Sequence, residues 1–115
     1  MKYAESLKKN YEFRVVYKKG KSFANKYLVL YKLKNNKTNN RIGISVSKKV
    51  GNSVVRSRVT RLIREGYRLN EECIEKEGWD FVVIARSAAN GASYEEISSA
   101  LIHLVKQQKV YNKRI

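Results

Sequence analysis

Residues 41–65 read RIGISVSKKVGNSVVRSRVTRLIRE, a strand pattern that passes directly into a helix pattern. In the first part Ile42, Ile44 and Val46 alternate with small or polar residues, which predicts a strand with one apolar side. The second part predicts a helix over 52–69, because its apolar and cationic residues separate onto opposite sides at about 100° per residue. Such a strand and helix indicate an α+β domain in which helices pack on a sheet.

The two sides of this arginine-rich helix have different expected roles. The side expected to close the core consists of Val55, Val59, Leu62, Ile63, Gly66 and Leu69. The opposite side carries Arg58, Arg61, Arg64 and Arg68, with Arg56 on its flank. The only acids between residues 1 and 68 are Glu5, Glu12 and Glu65, and the acidic segment 71–80 (EECIEKEGWD) cannot neutralise the whole basic half.

The whole chain is strongly basic, with a net charge of +15 over 115 residues. Such an excess repels itself in the compact state, so it indicates a polyanionic partner: nucleic acid first and an anionic membrane surface second. The length fits one domain. Because neither a membrane-spanning run nor a secretion signal is found, we expect a cytosolic protein. Of the two polyanions we expect nucleic acid, and no membrane partner. The single cysteine, Cys73, cannot form an internal disulfide and is interpreted as structural or incidental.

The remaining segments supply the other predicted elements. A first helix is predicted over 10–19, with Asn10 as its N-cap, and a last helix begins at Ser93 with a capping box to Glu96. The segment SFANKYLVLYKLK predicts one strand, or two if it bends, and WDFVVIAR predicts a central strand. If SFANKYLVLYKLK forms a single strand, one side of that strand carries Phe23, Tyr27, Val29, Tyr31 and Leu33. The predicted order is αβββαβα.

No residue pattern indicates catalysis by the chain itself. The only histidine, His103, lies beside the apolar stripe of the last helix and is interpreted as partly buried and structural. No zinc spacing, phosphate-binding glycine loop or Ser-His-Asp signature is present. We therefore expect no catalytic residue and no metal site on this chain.

Nucleic-acid binding is the better supported function. Arginine offers a planar fork of donors that matches phosphate oxygens, and Lys48 and Lys49 precede a helix start with unpaired N–H groups. The alternative is a merely solvated cationic face. The aromatic residues Phe13, Tyr17, Tyr27 and Tyr31 either form ordinary core or leave a groove in which unpaired bases stack.

The sequence resembles the protein component of bacterial ribonuclease P over nearly its whole length, 1–115, taken as one domain. The resemblance rests on LKKNYEFRVVYKKGKSFANKYLVLY, on RIGISVSKKVGNSVVRSRVTRLIRE at 41–65, on DFVVIAR and on the final amphipathic helix. It implies a small RNA-binding subunit with a mainly antiparallel sheet. It also implies a left-handed βαβ crossover through the arginine helix, whereas pattern reasoning alone expects the right-handed form found in about 98% of cases.

The family's function is metal-dependent hydrolytic removal of the 5′ leader from precursor tRNA, with the active site on a large RNA. The resemblance therefore implies two RNA partners, the catalytic RNA and precursor tRNA, and no obligate protein partner. It implies Mg²⁺ held mainly by RNA and no cofactor bound tightly by the protein. A non-catalytic structural RNA-binding protein, for example ribosomal, is the alternative. An independent metal-dependent nuclease is a third.

The resemblance also implies two sets of site residues. Those matched to the surface for the catalytic RNA are Lys48, Lys49, Asn52, Arg56, Ser57, Arg58, Arg61, Arg64 and Arg68. In the family's R-N-R motif asparagine is usual where this chain has Ser57, so an amide donor is missing there. Those matched to a cleft for the single-stranded leader, between the first helix and the sheet, are Phe13, Tyr17, Asn25, Tyr27, Tyr31 and Tyr111.

Overall fold

The computed structural model describes residues 4–76 and 78–112. Its strands are β1 (Ala4–Ser6), β2 (Lys21–Ala24), β3 (Leu28–Lys34), β4 (Asn40–Ser45) and β5 (Trp79–Ala85). Its helices are α1 (Asn10–Lys19), α2 (Ser53–Asn70) and α3 (Tyr94–Gln107), with short 3₁₀ turns at Glu71–Cys73 and Ser87–Ala89. The predicted order αβββαβα is confirmed from α1 onwards, and the short strand β1 before it was missed.

The five strands form one sheet in the order β1-β4-β5-β3-β2. The antiparallel pairs β2–β3 and β3–β5 join four and seven residue pairs, and the parallel pairs β1–β4 and β4–β5 join three and five. The antiparallel pairing therefore predominates, as predicted. Strands β4 and β5 are parallel neighbours connected through α2, which is the crossover for which the family resemblance implies the left hand.

Both faces of the sheet are covered, but unequally. On one face α2 and α3 enclose the larger core, which includes Leu28, Leu30, Ile63, Phe81 and Leu101. On the other face α1 buries a smaller cluster whose fully enclosed members are Leu7, Val16 and Val82. The nearly continuous apolar run of β5 serves both cores, because alternate side chains point to opposite faces of a strand. On the second face a groove remains between α1 and the end of β4.

An ion-pair bridge attaches α1 to the sheet. The guanidinium of Arg41 in β4 donates to Glu12 at 2.7 Å and to both carboxylate oxygens of Asp80, at 2.8 and 2.6 Å. The other oxygen of Glu12 accepts from the backbone N–H groups of Lys8 and Lys9, at 3.2 and 3.0 Å. One carboxylate thus satisfies the first turn of α1 and holds the helix over β4.

Several predicted details were wrong at the level of single residues. The N-cap of α1 is Lys9 rather than Asn10, because Glu12 supplies the acceptor from inside the helix. Helix α2 begins at Ser53 with Asn52 as its cap, and Leu69, expected on the core side, is 57% exposed. His103 is exposed on α3 rather than partly buried. The capping box of α3 at Ser93 is confirmed.

The segment SFANKYLVLYKLK forms two strands, β2 and β3, which is the bent alternative that the predicted order αβββαβα includes. The chain reverses at Asn25, whose side-chain oxygen accepts from the N–H groups of Tyr27 and Leu28, at 3.2 and 3.0 Å. This Asx-type turn interrupts the alternation that a single strand would have. Phe23 and Tyr27 consequently pack against the larger core, whereas Tyr31 and Leu33 pack on the α1 side.

Candidate nucleic-acid interface

Helix α2 presents its cations beside the end of β4. The side chain of Asn52 accepts from the N–H of Val55 at 3.0 Å, and the buried residues Val59, Ile63, Gly66 and Tyr67 fix the inner side of the helix. Ser57, Arg61 and Arg64 are exposed on the outer side, and Lys48 and Lys49 are exposed in the turn before the helix. The cationic side predicted from the sequence is therefore present on the surface.

The arginines of this helix differ in how far the protein itself engages them. Arg58 is half-buried and donates to the carbonyl oxygen of Ala92 at 3.0 Å. Arg68 forms an ion pair with Glu65 one turn earlier. Within residues 4–76 and 78–112, Arg61 and Arg64 form no ion pair, so their forks remain available. Sequence reasoning treated these arginines alike and did not distinguish the engaged from the available ones.

A groove of about 470 Å³ separates α2 from β4, and we call it the arginine groove. Its lining residues are Ile44, Val46, Ser53, Arg56, Ser57, Thr60 and Arg64. The guanidinium groups of Arg56 and Arg64 make this lining cationic. The Nε–H of Arg56 is buried without a hydrogen-bond partner among the described residues, so it is closed to a ligand in the groove. The exposed fork of Arg64 is the donor that suits an anion such as a phosphate.

A second groove of about 470 Å³ lies between α1 and β4, and we call it the aromatic groove. Its lining residues are Asn10, Phe13, Arg14, Tyr17, Ile44, Ser45 and Val46. The ring of Tyr17 is 6.4 Å from that of Phe13 and meets the ring of Tyr31 edge-on at 5.2 Å. Three predicted leader-binding residues thus form one aromatic row, with a guanidinium beside it.

The absence of a side chain at Gly43 positions this aromatic row. A Cβ atom at Gly43 would lie 2.5 Å from Cζ of Phe13 and 3.2 Å from Cβ of Leu7. Only glycine lets the Phe13 ring lie directly on strand β4. The sequence shows Gly43 only as a small residue in the alternation of the strand. Its contact with Phe13 arises from tertiary packing, which the alternation does not reveal.

Tyr31 adjoins the aromatic groove through its ring contact with Tyr17 but does not line it, and the other three predicted leader-binding residues contact other parts of the molecule. Tyr27 donates its hydroxyl to Glu96 on α3 at 2.6 Å, and Asn25 donates to the carbonyl oxygen of Ala100 at 2.9 Å. These residues line a separate pocket of about 530 Å³ with His103. Tyr111 pairs with Ile74 in an isolated bridge. The structure therefore does not bring the six residues together, because the reversal at Asn25 places Tyr27 on the α3 side of the sheet.

Hydrogen bonding shifts the pKa values of three groups near these surfaces. The pKa of Glu12 is lowered, mainly by the hydrogen bond from the backbone N–H of Lys9. The pKa of Glu96 is also lowered, mainly by the hydrogen bond from the backbone N–H of Ser93. The hydrogen bond to Glu96 raises the pKa of Tyr27. All three shifts keep the carboxylates ionised and the phenol protonated near neutral pH. They are the shifts of structural caps and bridges.

The donor set of the described residues does not fit a metal ion. Among residues 4–76 and 78–112, no three His, Cys, Asp or Glu side chains come close enough to hold one. Both grooves are lined by guanidinium groups, which repel a divalent cation. No helix in the described part of the chain is long and apolar enough to cross a membrane. What the two grooves do offer is guanidinium groups and aromatic rings.

The two grooves adjoin at the end of β4, because Ile44 and Val46 line both of them. Fold and grooves together define a small basic α+β protein that presents cations and aromatic rings side by side. The sequence model of the family described as Ribonuclease P matches residues 1–109. The chain belongs to the ribonuclease P family, as one of its protein components.

Relatives and solved structures agree with this assignment. A ribonuclease P protein component from Lachnoclostridium phytofermentans is 61% identical over 107 residues, which cover 93% of this chain and 91% of the relative. The structure of the Staphylococcus aureus RNase P protein superposes with a TM-score of 0.84 at 41% identity, covering 93% of this chain and 97% of that chain. The RNase P protein from Thermotoga maritima superposes with a TM-score of 0.81 at 32% identity, covering 90% and 96%.

Proposed function

We propose that this chain binds the catalytic RNA of ribonuclease P through the α2 surface and the 5′ leader of precursor tRNA through the aromatic groove. In this role it supports endonucleolytic removal of the leader and works in the cytoplasm. One observation carries the proposal: the arginine groove and the aromatic groove share Ile44 and Val46. A leader in one groove would therefore lie directly beside the RNA held at the other.

The α2 surface has the chemistry of a backbone contact. Arg61 and Arg64 offer forks that match phosphate oxygens, and Lys48 and Lys49 add point charges at the helix start. Arg56 adds a second guanidinium to the lining of the arginine groove. Arg58 and Arg68 already have protein partners, so we assign them weaker contributions through their remaining donors.

The aromatic groove has the chemistry of a single-strand site. Phe13, Tyr17 and Tyr31 present ring faces and edges, and unpaired bases stack on such rings without a strict sequence preference. Arg14 at the same groove would contact the backbone of the strand. We place Asn25, Tyr27 and Tyr111 outside this leader site because they contact α3 and the segment before β5.

The RNA and the protein would have different roles in the enzyme, because they offer different ligands to a metal ion. Mg²⁺ would supply charge stabilisation for phosphodiester hydrolysis, and phosphate-rich RNA fits it better than the cation-lined grooves of this chain. The protein's own residues would hold the leader and orient it next to the catalytic RNA. Such positioning lowers the barrier without a catalytic side chain on the protein.

The proposal is tested by cleavage of a precursor tRNA at low Mg²⁺ in three mixtures. These are the protein alone, a bacterial ribonuclease P RNA alone, and both together. We expect strong cleavage only in the combined mixture. Cleavage by the protein alone would reveal an active site on this chain and contradict the proposal. No stimulation of an RNA that is active at high Mg²⁺ would favour the structural RNA-binding alternative.

A further inference from the structure

A group of lysines lies away from both grooves, at the other end of β5. It consists of Lys21 in β2, Lys32 and Lys34 in β3, and Lys109 after α3, and we call it the lysine surface. Lys21 and Lys32 are directly opposite each other across the β2–β3 pair. Like charges in that position destabilise a sheet, so stability alone does not explain them.

The lysine surface is organised around one aromatic ring. The ammonium groups of Lys32 and Lys34 lie 4.5 and 4.8 Å from the ring centroid of Trp79. Lys32 also donates to the carbonyl oxygen of Gln108 at 2.7 Å, just beyond the end of α3. These contacts hold the ammonium groups of Lys32, a half-buried residue, and Lys34, an exposed one, over the indole ring. The surface is therefore suited to phosphates, and stacking of bases on Trp79 is disfavoured.

The protein only partly balances this charge. Among residues 4–76 and 78–112, no carboxylate lies within ion-pair distance of these four lysines. Burial is the main cause that lowers the pKa of Lys32; Lys21, Lys109 and Lys34 lower it further, whereas Glu75 raises it. The four cations thus repel one another in the free protein. A polyanion that bound here would relieve that repulsion.

The lysine surface is distinct from the sites already described. Trp79 packs on the core side that faces α2 and α3, whereas Phe13 and Tyr31 pack on the α1 side. Ile84 of β5 pairs with Ser45, which lines the aromatic groove. At about 3.3 Å per residue, Trp79 lies about 17 Å along β5 from Ile84. A ligand that reaches the α2 surface and this one together must extend around the molecule.

We propose that the lysine surface is a second contact for the phosphate backbone of the same catalytic RNA, independent of base sequence. The inference rests on the function proposed above. A large folded RNA held at the α2 surface can reach the opposite end of a small protein. A short single strand in the aromatic groove lies on the α1 side of the sheet, whereas Trp79 packs on the side of α2 and α3. Once the RNA is bound at α2, the second contact forms at high effective concentration.

The test measures the salt dependence of protein binding to the catalytic RNA for Lys34→Gln and for Lys34→Gln/Lys109→Gln. Both lysines are exposed, and Lys32 is left in place because of its bond to Gln108. Each lost phosphate contact should reduce the slope of log K against log salt by about 0.7–0.9, so the double variant should lose about 1.4–1.8. Lys34→Arg keeps the charge and should retain the slope.

Lys26→Gln is the matched control, because Lys26 is also exposed and its ammonium lies 5.2 Å from a ring, that of Tyr27. We expect it to leave the slope unchanged. An equal loss in this control would indicate a general field effect and overturn the proposal. A slope reduced only for precursor tRNA bound to the assembled enzyme would assign the surface to the substrate and overturn it as well.

The proposed α2 contact provides an internal standard. If Arg61→Ala/Arg64→Ala flattens the slope and the lysine double variant does not, the lysine surface is no contact and the proposed function stands. If neither pair changes the slope, both the lysine surface and the proposed α2 interface fail.

Discussion

Replacement of Gly43 by alanine would test whether the aromatic row is a binding surface. The new Cβ would lie 2.5 and 2.6 Å from the end of the Phe13 ring and 3.2 Å from Cβ of Leu7. The ring end is the group that can move most easily, so Phe13 should swing away from β4 and from its packing with Tyr17. The expected loss of stability is at the low end of the range for an overpacked site, about 1–3 kcal/mol.

The effect of Gly43→Ala on binding should be more specific than its effect on stability. One base stacked on an aromatic ring is worth about 1–3 kcal/mol, which corresponds to about 5- to 150-fold in affinity. We therefore expect the assembled enzyme to lose affinity for precursor tRNA within this range and to keep its affinity for mature tRNA, which has no leader. The assay compares both dissociation constants at one salt concentration, together with thermal unfolding.

Gly66→Ala is the control for this experiment. A Cβ at Gly66 would meet Ser98 at 3.6 Å, an ordinary contact, and alanine favours a helix interior by about 0.5–1 kcal/mol over glycine. This variant should bind both tRNAs as the original protein does. Equal losses for precursor and mature tRNA in Gly43→Ala would refute the reasoning and assign Phe13 to the core. Unchanged affinity for both would show that the leader does not contact this ring.

Three further predictions follow from particular contacts. Arg61→Ala/Arg64→Ala should reduce the salt slope for catalytic-RNA binding by about 1.4–1.8, and a filter-binding titration with an unchanged slope would remove these residues from the interface. Glu12→Gln should lower the melting temperature at neutral pH. Because folding lowers the pKa of Glu12 from 4.5, its stabilisation is present above that value and is lost as the pH falls through the folded pKa. The difference in melting temperature should therefore shrink in acid, and a constant difference from pH 7 to pH 3 would contradict this. Tyr27→Phe should leave the ratio of precursor to mature affinity unchanged, whereas Tyr31→Ala should lower it; the opposite result would return Tyr27 to the leader site.

Local signals in the sequence predicted most of the elements. The apolar spacing and flanking Gly20 gave the bounds of α1, and the Ser93 capping box gave the start of α3. Strand β1 was missed because three residues at a sheet edge, Ala4–Ser6, carry no measurable period. The break between β2 and β3 depends on the side-chain bonds of Asn25, which alternation does not show.

The candidate site was predictable in its chemistry and less so in its geometry. Charge separation on α2 identified the cationic surface, and the resemblance added the aromatic cleft. The contact of Arg58 with Ala92 and that of Tyr27 with Glu96 join residues 34 and 69 positions apart in the chain. Such contacts depend on how helices and strands pack, so neither periodicity nor a family motif indicates them. They decide which of the predicted residues remain available to RNA.

Cross-linking from the aromatic groove would test the central claim most directly. In a Cys73→Ser background, Ser45→Cys places a single thiol in the aromatic groove, and Ser99→Cys places the matched control in the pocket beside α3. A photoreactive group is attached to each thiol, and the enzyme is assembled with end-labelled precursor tRNA. We predict that Ser45→Cys cross-links to leader nucleotides and that Ser99→Cys does not. Leader cross-links from Ser99→Cys alone would contradict the account and place the leader on the opposite face of the sheet.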